Sequence, residues 1–423
     1  MSVPASPGDR EKVVSKLPGW LRQNLKIRAA QHGIEIQTAV EHGVEAWCAL
    51  ASTRAPVDTS GADPFSTFLP AGQWDHFRAV ASQRGVSLIQ GLAQSVQLWL
   101  DTHPVSEAER PAFPRRVVVC NQKGGVGKTS IAAGTGEALA EDPERLFPVR
   151  MAKQLIQALR ASDSDSDGAD GGQDDDLLGV EKLPGLGRRV LLVDFDPQCH
   201  MTQQLGATPL PIGGDSLTKH MGGTPEGKLS DLIVAIDEET FGDRLHLLPA
   251  CHDAFLLDVK LASVRAREAA LERALAPLED DYDVILVDCP PSLGMSMDAA
   301  AYYGRRREGE EPGRSGMLIV VQAEDSSADA YELLTQQIED LRGDLNLELD
   351  YLGIVVNLYD ARRGFIATSS LKGWIAIEDP RVVGLVGDLK EQKEAVRMKR
   401  PLLSYAPRSE QSVAMRALAR ELR

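Results

Sequence analysis

Apolar residues recur along this chain in two different ways, and the change from one to the other divides it. Near the N-terminus Ile36, Val40, Val44 and Trp47 stand at i, i+4, i+8 and i+11, one stripe of a half-buried helix. From Arg115 onward the apolar residues come in unbroken runs: "VVVC" from Val117, "VLLV" from Val190, "VILV" from Val284, "LIVV" from Leu318 and "LGIVV" from Leu352. A strand in the middle of a parallel sheet is covered on both faces, so it reads as continuous apolar sequence and not as alternation. The pattern predicts an α/β region with a mostly parallel sheet flanked by helices, preceded by a small, mainly helical region. A chain of 423 residues suggests two or three domains.

The N-terminal region is a repeat. "LPGWLRQNLKIRAAQHGIEIQTAVEHGVEAW" from Leu17 aligns without gaps on "LPAGQWDHFRAVASQRGVSLIQGLAQSVQLW" from Leu69, at a constant offset of 52 residues. Leu17 and Leu69, Pro18 and Pro70, Gly33 and Gly85, and Trp47 and Trp99 are among the identical pairs. Each copy begins with a short extended segment, "KVVSKL" or "PFSTFL", that stops at a proline suited to the first turn of a helix. A helix runs from there to the glycine, a C-cap, and a second helix follows. Strand, helix, turn and helix in this order resemble the ribbon-helix-helix fold, in which two units pair to form a two-stranded ribbon for the DNA major groove. Here one chain supplies both units. With Leu17 facing inward, strand alternation turns Lys12, Val14 and Lys16 outward, where the lysines are candidates for guanine edges or phosphates. The second copy offers Ser66 and Phe68 in the matching places, so the ribbon is lopsided. A helical dimerisation module or a winged helix remains open as an alternative. The repeat domain is expected at 1–110, with copies at about 11–52 and 63–103, and the linker "THPVSEAERPAF" closes it.

"RRVVVCNQKGGVGKTSIAAGTGEALAE" reads as a buried strand, a glycine-rich loop and a helix. Glycines let backbone N–H groups close around phosphates, and the positive end of the helix adds to the attraction. The candidate phosphate-binding residues are Lys123, Gly124, Gly125, Val126, Gly127, Lys128, Thr129 and Ser130, with Lys128 at the β- and γ-phosphates and the Thr129 hydroxyl on Mg²⁺. Gln122 occupies the place where the common G-x-x-x-x-G-K-[ST] pattern has its first glycine, and Lys123 adds a second lysine. "VLLVDFDPQ" and "VILVDCPPS" each end an apolar run in aspartate, as strands whose carboxyl ends face a ligand crevice do. Asp288 is the candidate second Mg²⁺ residue, and Asp196 lies where it can orient an attacking water.

Together, "KGGVGKTS", "VDFDPQ", "VDCPPSLG", "LIVVQAE" and "YDARRG" resemble the ParA group of deviant Walker A ATPases, over roughly Arg115 to Arg423. The resemblance implies ATP and Mg²⁺ as cofactors and an ATP-bound sandwich homodimer in which Lys123 reaches the nucleotide of the other subunit. A triphosphate buried between subunits needs that extra positive charge to offset desolvation. The resemblance also implies that Asp196 activates water, that Asn357 hydrogen-bonds adenine, and that the C-terminal segment binds DNA through phosphates, with Lys390, Lys393, Arg397, Lys399 and Arg400 as candidates. A ParB-like partner is implied as the trigger of hydrolysis. The chain departs from the family at "DPQCHMT", where Cys199 and His200 replace a glycine and an asparagine, and at Asp298, where an asparagine is usual. "GRRREGEEPGRSG" is an inserted loop whose arginines are expected to be solvated.

Charge sharpens the picture. The net charge is −16, yet Arg10 to Arg28 holds six basic residues against Glu11 alone, and Leu389 to the end holds nine against four. Both ends are therefore candidate surfaces for an anionic partner, or ordinary solvated helix faces. The acid is densest in "SDSDSDGADGGQDDD" (162–176), a stretch expected to be disordered within an insertion at about 141–187. That stretch includes an EF-hand-like spacing from Asp163 to Asp174, with Asp170 in a place usually apolar. Five scattered cysteines with no C-x-x-C spacing indicate neither a disulfide framework nor a zinc site. With no signal peptide and no long apolar span, a cytoplasmic, nucleoid-associated protein without a membrane partner is expected. A DNA-segregation ATPase fits best, with the ATPase domain at 114–423; a nucleotide-switched, sequence-specific regulator is the alternative.

Overall fold

The computed structural model describes residues 10–52, 54–104, 111–150, 180–292, 294–324 and 326–422. The acidic stretch 162–176 and the calcium-like spacing within it lie outside them. The described residues fall into two compact units, one within Met1–Glu109 with Pro143–Leu146, the other within Arg110–Asp142 and Phe147–Arg423.

In the first unit β1 (Arg10–Pro18) leads into α1 (Gly19–Gln31) and α2 (Ile36–Ala49), and β2 (Ala62–Pro70) into α3 (Gln73–Gln83) and α4 (Leu88–Thr102). Gly33 and Gly85 end α1 and α3 at φ +66° each, a left-handed conformation that favours glycine. The two strands pair antiparallel along their whole length, with Val14 opposite Ser66. Val13, Leu17, Phe65 and Leu69 point into a core shared with Leu21, Val44, Trp47, Phe77, Val96 and Trp99. Neither copy could cover this face alone. Burying each large apolar side chain is worth about 1.5–3 kcal/mol, so the mutual burial of the copies dominates the unit's stability. The helices α2 and α4 cross closely where a side chain on Gly43 would fall 2.6 Å from the Ser95 carbonyl.

The second unit is built on an eight-stranded sheet. Its strands are β3 (Arg115–Cys120), β6 (Val190–Asp194), β7 (Val234–Ala235), β8 (Leu245–Leu248), β9 (Val284–Asp288), β10 (Gly316–Gln322), β11 (Tyr351–Tyr359) and β12 (Val382–Gly387). Their spatial order is β12-β11-β10-β3-β9-β6-β8-β7. All pairings except β7 with β8 are parallel. A separate two-stranded sheet joins β4 (Leu146–Val149) and β5 (Glu181–Pro184) across the insertion. Alternate residues feed two cores: Val117, Val119, Leu192 and Leu286 face one side, and Val118, Cys120, Leu191 and Ile285 the other. The chain leaves β3 toward β6 and β8, returns to β9, then continues through β10 to β12 on the other side. β3 therefore stands at the topological switch point, where a ligand crevice forms beyond the strand ends.

The helix after β3, α5 (Lys128–Ala140), is buried on almost every side, which explains why its sequence shows no amphipathic stripe. It packs with the C-terminal helix Glu410–Glu421. Between them Arg416, fully buried, donates to both carboxylate oxygens of Glu141 at 2.7–3.0 Å and to the Pro407 carbonyl at 2.7 Å.

The inserted arginine loop corrects a sequence expectation. Arg305 and Arg307 pair with Glu272, Arg307 also pairs with Glu279 at 2.6 Å, and Arg116 at the start of β3 pairs with Glu310 of the same loop. These arginines are not solvated: Arg307 is only 10% exposed. Their carboxylate partners lie far away in sequence, and the loop's polar composition conceals a largely buried ionic seam.

Among the described residues no helix is long and apolar enough to cross a membrane.

Candidate functional site

The ends of β3, β6 and β9 bring the chemistry together. Asp194 lies directly opposite Asp288 in the register, and Val119 pairs with Asp288 on its other side. The loop from Asn121 to Gly127 covers these ends. Its shape depends on Gly125 at φ +77° and Gly127 at φ +84°, the latter capping the start of α5. Gly127 has a second reason to be glycine, because a side chain there would fall 2.2 Å from Asn357 Nδ2.

The loop is held from below by asparagines. Asn121 Nδ2 donates to the Val320 carbonyl at 2.6 Å, and Asn121 Oδ1 accepts from the Lys123 N–H at 3.0 Å. Asn357, buried at the end of β11, donates to the Val126 carbonyl at 2.9 Å. This contact braces the phosphate loop, a role the sequence did not indicate. Gly124 and Gly125 are exposed, leaving their backbone open to a ligand.

The two lysines differ in setting. Lys128 is buried, and its ammonium donates to the Lys123 carbonyl at 3.2 Å. Burial lowers its pKa, while Asp288 and Asp196 pull the other way and favour the ammonium. Lys123 is half-buried, with its ammonium 3.2 Å from the Glu324 carboxylate, which also binds Arg363 at 2.9 Å.

Asp288 is fully buried, and neither of its oxygens accepts a hydrogen bond of good geometry, although the Thr129 hydroxyl lies near enough to favour the carboxylate. Burial first, and then Asp194, push its pKa well above the carboxylate range. Asp194 is pushed up to about 6 by burial, opposed by hydrogen bonds from the Thr202 N–H at 2.8 Å and hydroxyl at 2.6 Å. A buried carboxylate with two unsatisfied oxygens beside a hydroxyl and an ammonium is a site that a hard cation completes. Thr129 and Asp288 thus fit Mg²⁺ on their own chemistry.

Asp196, buried beyond β6, accepts from the Gln198 N–H at 2.9 Å and lies near enough to Lys128 to favour its ammonium. Cys199 adopts φ +56°, a left-handed conformation that favours the glycine it replaces. Its thiol is buried and points to the Pro197 carbonyl, with its pKa pushed up to about 12 by burial; His200 is exposed. Asp298 accepts from Gln337 Nε2 at 2.8 Å, a contact between helices.

The C-terminal basic residues gather on one surface. Lys390, Lys393 and Arg397 line an exposed face of the helix Lys390–Met398, and Lys399 and Arg400 continue from its end. Lys393 pairs with Asp388 at 2.6 Å and Arg400 donates to the Ser404 hydroxyl at 3.1 Å.

A glycine loop between a central strand and a buried helix, a lysine in the loop's helix and paired strand-end aspartates define a P-loop ATPase. An AAA domain model matches residues 180–351. The chain is 30% identical over 250 residues to the chromosome-partitioning ATPase Soj of Thermus thermophilus, covering 59% of this chain and 71% of that one. It is 27% identical over 312 residues to the chromosome partitioning protein ParA of Myxococcus xanthus, covering 73% and 87%. Among solved structures, a Cyanothece McdA variant in complex with ATP shares the fold at a TM-score of 0.52 and 15% identity, covering 74% of this chain and 97% of that one. The chain belongs to the ParA/Soj family of P-loop ATPases.

Proposed function

We propose that this protein is a DNA-partitioning ATPase: ATP closes a homodimer that binds DNA, and hydrolysis, stimulated by a ParB-like partner, releases it. The observation that carries this reading is the pair of lysines at one loop, Lys128 buried against Asp288 and Asp196 and Lys123 at the accessible rim. One lysine suffices for a cis phosphate; the rim lysine suits a triphosphate shared between two chains.

Thr129 and Asp288 would hold Mg²⁺, which neutralises charge developing on the phosphates. The backbone N–H groups of Gly124 to Lys128 bind the phosphate chain, and Ser130 in the first turn of α5 adds a hydroxyl donor. Asp196 orients the attacking water and accepts its proton. A single carboxylate acting on the water favours slow basal turnover and an external stimulant. Lys390, Lys393, Arg397, Lys399 and Arg400 supply the non-specific, salt-sensitive contacts to DNA.

The N-terminal unit belongs to this reading as a ribbon-helix-helix-like DNA reader through Lys12 and Lys16. It also supports the second reading, a nucleotide-switched regulator of its own operon, because its exposed ribbon is suited to one sequence and not to bulk DNA.

The test is ATP turnover with and without DNA for wild type, Lys123→Ala and Asp196→Ala, with mass followed by light scattering. Lys123→Ala is expected to lose turnover and dimer while keeping the fold, and Asp196→Ala to accumulate an ATP-bound dimer. An Asp196→Ala protein turning over at the normal rate removes the catalytic assignment. Gel shifts separate the two readings: ATP-dependent retention on random DNA means partition, whereas retention on upstream DNA alone means regulation.

A further inference from the structure

The ribbon carries an asymmetry that no pair of identical chains could have. Val14 and Ser66 are cross-strand partners in the register and also equivalent positions in the sequence repeat, so the local twofold axis passes through that pair. Around it Lys12 has Pro64 as its twofold mate, and Lys16 has Phe68. The outward face is therefore Lys12, Val14 and Lys16 on one strand and Pro64, Ser66 and Phe68 on the other, all exposed. A ribbon made from two copies of the first strand would present four lysines.

The inward face obeys the twofold and the outward face breaks it. Val13 and Leu17 are matched by Phe65 and Leu69 in the same core, because both copies must cover the same helices. Nothing in the packing requires lysine on one strand and phenylalanine on the other. Val14 and Phe68 remain 66% and 47% exposed on a strand pair whose other face is fully used. Among the described residues neither Lys12 nor Lys16 has an ion-pair partner, whereas Arg10 at the ribbon's end is held by Glu41 at 2.8 Å. Two unpaired cations on an exposed ribbon that starts the most basic segment of the N-terminal half match a polyanion, and the apolar groups across from them match thymine methyls.

We propose that a single chain is a complete and asymmetric reader of duplex DNA, recognising a short non-palindromic site through this face. Lys12 and Lys16 contact one strand's acceptor groups, and Phe68, with Val14, contacts methyl-bearing edges. The four residue steps from Lys12 to Lys16 span roughly 13 Å, which matches about four base pairs. The inference rests on the reading that the ribbon binds DNA. It adds that recognition does not await the ATP dimer, since β1 and β2 are already paired within one chain.

The experiment selects sites with the full-length protein, without nucleotide, from a random-sequence duplex library, then measures stoichiometry on the shortest selected duplex by sedimentation. The expected result is a non-palindromic site bound by one chain, with Lys12→Ala plus Lys16→Ala weakening it about tenfold or more. A triple variant with Pro64→Lys, Ser66→Val and Phe68→Lys restores the twofold on the outer face and is expected to select a palindrome instead. All three positions are exposed, and an unchanged melting profile confirms the fold. A palindrome selected by the wild type, or two chains on the shortest duplex, overturns the asymmetric reader. Selection that is unaffected by loss of Lys12 and Lys16 overturns the underlying reading that the ribbon binds DNA.

Discussion

The nucleotide loop and the N-terminal ribbon both carry pairs of lysines, and they use charge in opposite ways. At the loop Lys128 is buried with carboxylates around it, so every neighbour is fixed by the cost of leaving a charge unpaired in low dielectric. On the ribbon Lys12 and Lys16 stand in water, and only the strand register fixes where they are. The loop's chemistry is therefore sensitive to single atoms, whereas the ribbon's outer side chains lie outside the packed core. Substitutions that sharpen this contrast act first on the loop's backbone, next on a buried carboxylate behind it, and last on its exposed rim.

The largest effect is expected for Gly127→Ala. The left-handed backbone at φ +84° costs a non-glycine residue about 1–2 kcal/mol, and the new methyl would meet Asn357 Nδ2 at 2.2 Å. Asn357 is buried and bonded to the Val126 carbonyl, so it cannot swing aside freely. A loss of about 2–4 kcal/mol in urea unfolding and of most nucleotide binding is expected. Combining it with Asn357→Ala should recover part of the binding loss. Simple additivity of the two would mean that the overlap is not what harms the loop.

Behind the loop, Glu137 on α5 is completely buried and accepts from the Leu403 N–H at 2.8 Å, while its other oxygen has no partner. Burial pushes its pKa up to about 8. A carboxyl whose folded pKa is raised contributes most below the unfolded value near 4.5, and that contribution is lost as pH rises toward 8. Glu137→Gln keeps the acceptor for Leu403 and removes the ionisation. Its stability relative to wild type should climb between pH 4.5 and 8, by up to about 5 kcal/mol, and then level off. Denaturant midpoints at several pH values check this, and a pH-independent difference would contradict it.

What could be read from the sequence follows the same division. The strand runs, the glycine loop and the strand-end aspartates are local patterns, and the fold keeps them local: Asp194 and Asp288 become direct neighbours because both end central strands. The outward facing of Lys12, Val14 and Lys16 also followed from alternation alone. The contacts that brace the site were hidden because they join distant residues. Asn357 reaches Val126, Glu137 reaches Leu403, and Lys128 turns back to the Lys123 carbonyl, none of which leaves a periodic or compositional trace. The arginine loop misled for the same reason, since Glu272 and Glu279 belong to another segment. Cys199 left a trace in the resemblance alone, because a position where the resembled motif has glycine is one that suits the left-handed backbone found there.

The smallest effect, and the one closest to the boundary between the two kinds of charge, is at Glu324. Its carboxylate holds Lys123 at 3.2 Å and Arg363 at 2.9 Å, with Lys123 and Glu324 23% and 39% exposed. A half-exposed pair of this kind is worth about 0–1 kcal/mol, far less than the buried contacts beneath it. On the proposed function Lys123 leaves Glu324 to meet a phosphate, so Glu324→Gln should ease its release: half-maximal turnover at an ATP concentration about two- to fivefold lower, with kcat unchanged. Screening weakens exposed pairs, so the difference should shrink as salt is raised from 0.05 to about 0.5 M. If the variant instead loses kcat at every salt concentration, Glu324 orients Lys123 for the reaction, and the rim lysine is specified as tightly as the buried one.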